Sequence, residues 1–122
     1  MNSIAKRVEL GLQVLLENSG DGWFLIFEEP VSEKFVQFAY DEGQELVFDC
    51  PTMAFSPDEL KKAIEVMQRF NIKHSHPAGD DFASFTSSVG LDVNLARNAA
   101  LAMLTEVFGF DDQHRLDITI NR

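Results

Sequence analysis

The chain has 122 residues, 45% of them hydrophobic, and its 20 acidic and 10 basic side chains give a formal charge of −10. That length suits one domain around one core, so residues 1–122 are read as a single unit, and the apolar content is too high for disorder. The acidic balance opposes nucleic acid and anionic lipid as partners, because binding phosphates relies on Lys and Arg, and it favours solubility, basic partners or both.

Residues 3–18 read as a helix, with Ser3 as N-cap and Ile4, Val8, Leu12, Leu15 and Leu16 on one stripe. Leu10 and Val14 fall off that stripe and widen the apolar face, and Asn18-Ser19-Gly20 supplies a stop. Gly22 to Glu28 then holds Trp23-Phe24-Leu25-Ile26-Phe27, apolar on both parities, which suits a strand covered on both faces or one whose outer face meets a partner. Glu29-Pro30-Val31-Ser32 is a turn. Lys34 to Tyr40 is a second strand, Asp41-Glu42-Gly43 a hairpin loop, and Gln44 to Cys50 a third strand with Leu46, Phe48 and Cys50 on one face.

Ser56-Pro57-Asp58-Glu59 is a capping box with Pro at the first helical position. It opens a helix to about Phe70, with Leu60, Ala63, Ile64, Met67 and Phe70 on one face. Asn71 to Asp81 reads as a loop and Phe82 to Val89 as a fourth strand, polar enough to be an edge. A helix follows over about Val93 to Phe108, stopped by Gly109, with Ala96, Ala99, Ala100 and Ala102 permitting close approach to a neighbour. Leu116, Ile118 and Ile120 alternate with polar residues as a last strand. The order α-β-β-β-α-β-α-β predicts an α+β domain, a mainly antiparallel sheet with helices packed on one face.

Chemistry-bearing motifs are sparse. Cys50 is the single cysteine, so no intrachain disulfide forms; beside Asp49 it reads as a buried apolar residue and not as a thiolate nucleophile. A cytoplasmic setting fits that lone thiol. No apolar run approaches the roughly 18 residues of a membrane span. The first residues lack an apolar core and a small-residue cleavage site, which argues against a signal peptide. His74-Ser75-His76 with Asp80 and Asp81, joined by His114, Asp111 and Asp112, is the only cluster resembling a metal site, but its spacing fits no zinc motif and a solvated polar loop explains it. Adjacent carboxylates such as Glu28-Glu29 do not by themselves converge in a cleft, and no Walker, GxGxxG or GxSxG pattern occurs. Neither catalytic residue, cofactor nor metal is expected.

The remaining feature is surplus apolar surface inside acidic sequence. Residues 17–59 carry eleven carboxylates against one base, Lys34, and the chain's most β-like segments. Helices on one sheet face cover one parity, so either Trp23, Leu25 and Phe27 or Phe24 and Ile26 need a second cover.

An N-terminal amphipathic helix, then Gly22-Trp23-Phe24-Leu25-Ile26-Phe27, then Lys34-Phe35-Val36-Gln37-Phe38, then a hairpin into Leu46-Val47-Phe48, resembles the type III secretion chaperone-like fold. The Phe-Val-Gln-Phe string is similar to that of its TY-Chap and YbjN-like branch. The resemblance covers roughly residues 3–70. It implies a small, acidic, non-enzymatic bacterial homodimer that binds extended segments of a partner protein, in a fold with two strands before the last helix. The expectation is therefore a chaperone-like protein-binding domain, with Trp23, Phe35, Phe38 and Tyr40 as candidate binding residues. The alternative is an acidic immunity- or antitoxin-type inhibitor of a basic enzyme.

Overall fold

The computed structural model describes residues 3–18, 23–40, 45–75, 83–111 and 115–121. It is an α+β domain. In chain order the elements are α1 (Ile4–Asn18), β1 (Phe24–Glu28), β2 (Phe35–Tyr40), β3 (Leu46–Pro51), α2 (Pro57–Met67), β4 (His74–Ser75), β5 (Ser84–Gly90), α3 (Val93–Ala102) and β6 (Asp117–Asn121). Among the described residues, six strands form one antiparallel sheet in the order β4-β5-β3-β2-β1-β6. The sequence order holds, with the two-residue β4 added inside the segment read as a loop.

Local chemistry sets the helix starts. Ser3 Oγ accepts the Lys6 N–H at 3.1 Å at the head of α1. At α2 the capping box closes reciprocally: Glu59 N–H donates to Ser56 Oγ at 3.1 Å, and Ser56 N–H to Glu59 Oε1 at 2.9 Å. Asp92 caps α3 through the Leu95 N–H at 3.0 Å. The 3₁₀ turn Gln68–Phe70 prolongs α2, and Asn71 ends it in the left-handed region (φ 58°), where an Asn side chain is tolerated. Buried Ile72 then donates back to the Met67 carbonyl.

α3 runs on as a π segment, Met103–Val107, where the Phe108 N–H reaches the Met103 carbonyl at 3.0 Å. Together they span the helix predicted over Val93 to Phe108. The wider turn sets Phe108 against Phe55 and Phe110, with ring centroids 5.2 and 5.6 Å away.

Among the described residues, the buried strand side chains belong to one parity: Leu25 and Phe27, Val36 and Phe38, Leu46, Phe48 and Cys50, Phe85 and Val89. Phe27, Phe38 and Phe48 meet edge to face across β1, β2 and β3 at 6.5 and 5.5 Å. Onto this surface pack Ile4, Val8, Leu12 and Leu15 of α1, and Ala96, Ala99 and Ala100 of α3, which lies against α1. Gly11 brings α1 close to β1, since a Cβ there would stand 3.0 Å from the Phe27 ring.

Two helix faces differ from the reading above. Leu10 and Val14 are exposed and do not widen the buried face of α1. On α2, Val66 is buried and Ile64 exposed, because α2 packs against the π segment of α3 and the buried stripe turns toward it. Among the described residues, no helix is long and apolar enough to cross a membrane.

Candidate functional site

Strand side chains of the second parity point away from the helices, and the register sets them in rows. Phe24, Ala39, Val47 and Ser88 form one row. Thr119, Ile26, Gln37, Asp49 and Thr86 form the next, and Asp117, Glu28 and Phe35 a third. The apolar members, Phe24, Ile26, Phe35, Ala39 and Val47, are all half-buried, whereas the helix-facing parity is enclosed on β1, β2 and β3 up to Phe38 and opens at Tyr40 and at Ile118 and Ile120 of β6.

Polar groups stand among the apolar ones, with Gln37 and Asp49 on the two central strands, and hold one another. Asp49 accepts from Gln37 Nε2 at 3.3 Å and from Thr86 Oγ1 at 3.0 Å, so the Ser84 hydroxyl, 2.8 Å away, donates to Thr86. Ser88 Oγ donates to Glu45 at 2.7 Å. Glu28, Glu45 and Asp117 lie toward the ends and edge of the face and Asp49 within it, and no Lys or Arg stands in the strands that form it. Arg115, just ahead of β6, brings its Nε within 3.4 Å of Asp117.

One end of this face opens into a cleft of about 390 Å³ between the β1–β2 loop and the segment joining β3 to α2. Phe35 and Pro51 belong to both cleft and face; Lys34, Met53, Ala54 and Phe55 complete the walls. The loop is shaped by Glu29, whose buried carboxylate accepts from the backbone and hydroxyl of Ser32, and by Glu33 in the left-handed region (φ 63°). The Lys34 ammonium pairs with Glu59 and lies 5.6 Å over the Phe108 ring. Burial pushes Glu59 upward, but its bonds to Lys34 and Ser56 outweigh that and hold its carboxyl below the usual range.

The four candidate binding residues do not share one surface. Phe35 lies on the open face and lines the cleft. Phe38 does not: it has no exposed surface and sits mid-sheet between Leu25 and Phe48, so it is a core residue and not an accessible anchor. Trp23 and Tyr40 are partly buried against the core, joined by the Tyr40 N–H to Trp23 carbonyl bond at 2.9 Å. Tyr40 stands at the opposite end of β2 from Phe35, roughly 17 Å away at strand spacing. The residues that build the face, Phe24, Ile26, Ala39 and Val47, were detectable only as the second parity of apolar runs. Met53 and Phe55, in an irregular segment, carried no periodic signal.

Of the histidine cluster, His76, Asp80, Asp81, His114 and Asp112 lie outside the described residues, as does the Asp41-Glu42-Gly43 loop. Among the described residues no group of three or more His, Cys, Asp or Glu could hold a metal ion. His74 ties β4 down. Thr52 Oγ1 donates to the Ala83 carbonyl at 3.0 Å, so it accepts from His74 Nε2 at 2.9 Å, which therefore carries a proton. The ring lies 4.9 Å from Phe85, and burial holds its pKa below the ordinary imidazole value.

Compared with protein-family models, with curated proteins and with solved structures, the chain matches none.

Proposed function

We propose that this domain is a non-enzymatic, chaperone-like protein-binding module that docks a partner polypeptide on its open, acidic sheet face. One observation carries the reading: Phe24, Ile26, Phe35, Ala39 and Val47 share a sheet face on which none is fully buried, while every enclosed strand residue faces the helices. A half-buried sheet face that mixes apolar and polar side chains has the composition of a protein interface. The element order supports it as well. With β4, two strands lie between α2 and α3, as the secretion-chaperone resemblance implies, and β6 is an addition. Cytoplasmic location and a homodimeric state belong to the same proposal.

The test places a photo-crosslinking residue at Ile26 and, separately, at exposed Lys62 on the outside of α2. Discrete polypeptide adducts at position 26 but not 62, lost on Phe24→Asp, are expected. Equal adducts at both positions would remove the face as the docking site.

The carboxylates of the face, without a cation in its strands, favour a second reading, an immunity- or antitoxin-type inhibitor seated on a basic enzyme. Salt separates the two. An inhibitor complex held by charge loses orders of magnitude in association rate as salt rises, whereas apolar docking on the sheet changes little.

A further inference from the structure

We propose that the cleft beside Phe35 seats a bulky apolar side chain of a cationic polypeptide partner. This rests on the docking reading above and narrows the chemistry of its occupant.

Three observations converge on the cleft. Its volume, about 390 Å³, falls within the range of pockets that enclose a ligand group. Met53, 70% exposed, lines it and is one of the most exposed large apolar side chains among the described residues. A single exposed apolar residue is ordinary, but Met53 stands over a concavity lined also by Phe35, Pro51, Ala54 and Phe55, and the pliable Met thioether adapts to varied side chains. The cleft is also firm. Phe55 is braced edge-on by Phe108, and the Lys34–Glu59 pair clamps the β1–β2 loop to the start of α2. A cleft already held in shape loses little entropy when it is filled.

Charge selects the occupant. Glu33 lines the cleft, Glu28 pairs with Phe35 across β1 and β2, and exposed Asp58 follows at the start of α2. Among the described residues the one cation in the walls, Lys34, is already matched by Glu59 and Phe108. An apolar side chain flanked by Lys or Arg therefore meets uncompensated negative charge. A second copy of this chain, itself at −10, brings carboxylates against carboxylates in an isologous contact.

The experiment titrates a fluorescent Lys/Leu peptide and a Glu/Leu peptide of the same length and pattern into the parent protein and three variants, read by anisotropy. Met53→Asn strikes the cleft, Ile26→Asp the open face, and Leu91→Asn another exposed apolar residue away from both. The Lys/Leu peptide is expected to bind, the Glu/Leu peptide not to, and Met53→Asn to weaken binding at least tenfold while Leu91→Asn leaves it unchanged. All three positions are at least partly exposed, and circular dichroism confirms that the variants fold. Failure of the Lys/Leu peptide to bind, equal binding of both peptides, or affinity untouched by Met53→Asn overturns the proposal. Affinity lost in Ile26→Asp but kept in Met53→Asn removes the cleft and leaves the open-face reading standing. Concentration-dependent sedimentation abolished by Met53→Asn would make the occupant a second copy and overturn the cationic partner.

Discussion

Phe38 stands at the middle of the helix-facing side of the sheet, edge-on to Phe48 at 5.5 Å and to Phe27 at 6.5 Å. Three residues earlier on the same strand, Phe35 lies half-buried on the other side. Removing the Phe38 ring leaves a cavity that close-packed neighbours refill only in part, so Phe38→Ala is expected to cost about 3–5 kcal/mol. Phe35→Ala loses only part of a ring's burial, about 1 kcal/mol. Urea unfolding followed through Trp23 separates the two; equal losses would mean that Phe35 is also enclosed. Cys50, on the core side, adds a pH effect. Burial first, then the Asp49 charge beside it, pushes its thiol far above the ordinary range. In the unfolded chain the thiol ionises near pH 8.5, whereas in the folded chain it does not. Above that pH the unfolded state holds fewer protons, so the thiol's contribution to stability is present below about pH 8.5 and lost as pH rises. The urea midpoint is therefore expected to fall between roughly pH 7.5 and 9.5, and to fall less in Cys50→Ala.

At the scale of elements, α1 depends on Gly11 as much as on its leucines. A Cβ at that position would press on the Phe27 ring at 3.0 Å and approach Leu25 at 3.4 Å. Both neighbours are fully buried and have little room to retreat. Gly→Ala in a helix gains about 1 kcal/mol of propensity, while overpacking costs about 1–3 kcal/mol, so Gly11→Ala is expected to destabilise modestly and Gly11→Leu severely. A rise in melting temperature for Gly11→Ala would show that α1 can shift outward at no cost. Helix starts such as Ser56-Pro57-Asp58-Glu59 were legible because their hydrogen bonds close within four residues. β4 was not: two residues have no alternation, and His74–Ser75 is extended because Ser84 and Phe85 offer it an edge. The π segment escaped for a similar reason, since its residues read as ordinary helix. Phe38 marks the limit at the site. Its strand is apolar on both parities, and only pairing with the cleanly alternating β3, Phe38 opposite Phe48, decides which way it faces. That register depends on a hairpin loop whose length the sequence leaves open.

For the molecule as a whole, a formal charge of −10 on 122 residues makes self-repulsion a term in both stability and association. Glu28, Glu45, Asp49 and Asp117 stand among the apolar side chains of a face that would otherwise favour contact between copies. In a face-to-face pair these charges would approach within a few ångströms, well inside the roughly 8 Å over which physiological salt screens them. Glu28→Gln, Asp49→Asn and Asp117→Asn together keep side-chain size while removing three charges, each turning one acceptor oxygen into an NH2 donor. Raising NaCl from about 0.05 to 0.5 M shortens the screening length and is expected to raise the parent's urea midpoint; the triple variant should respond less. In sedimentation velocity the triple variant is expected to form larger species than the parent as concentration increases, and adding Ile26→Asp should reverse that growth. If growth persists with Ile26→Asp, the contact forms elsewhere on the surface. If the triple variant sediments like the parent at every concentration, the carboxylates are not what holds the open faces apart.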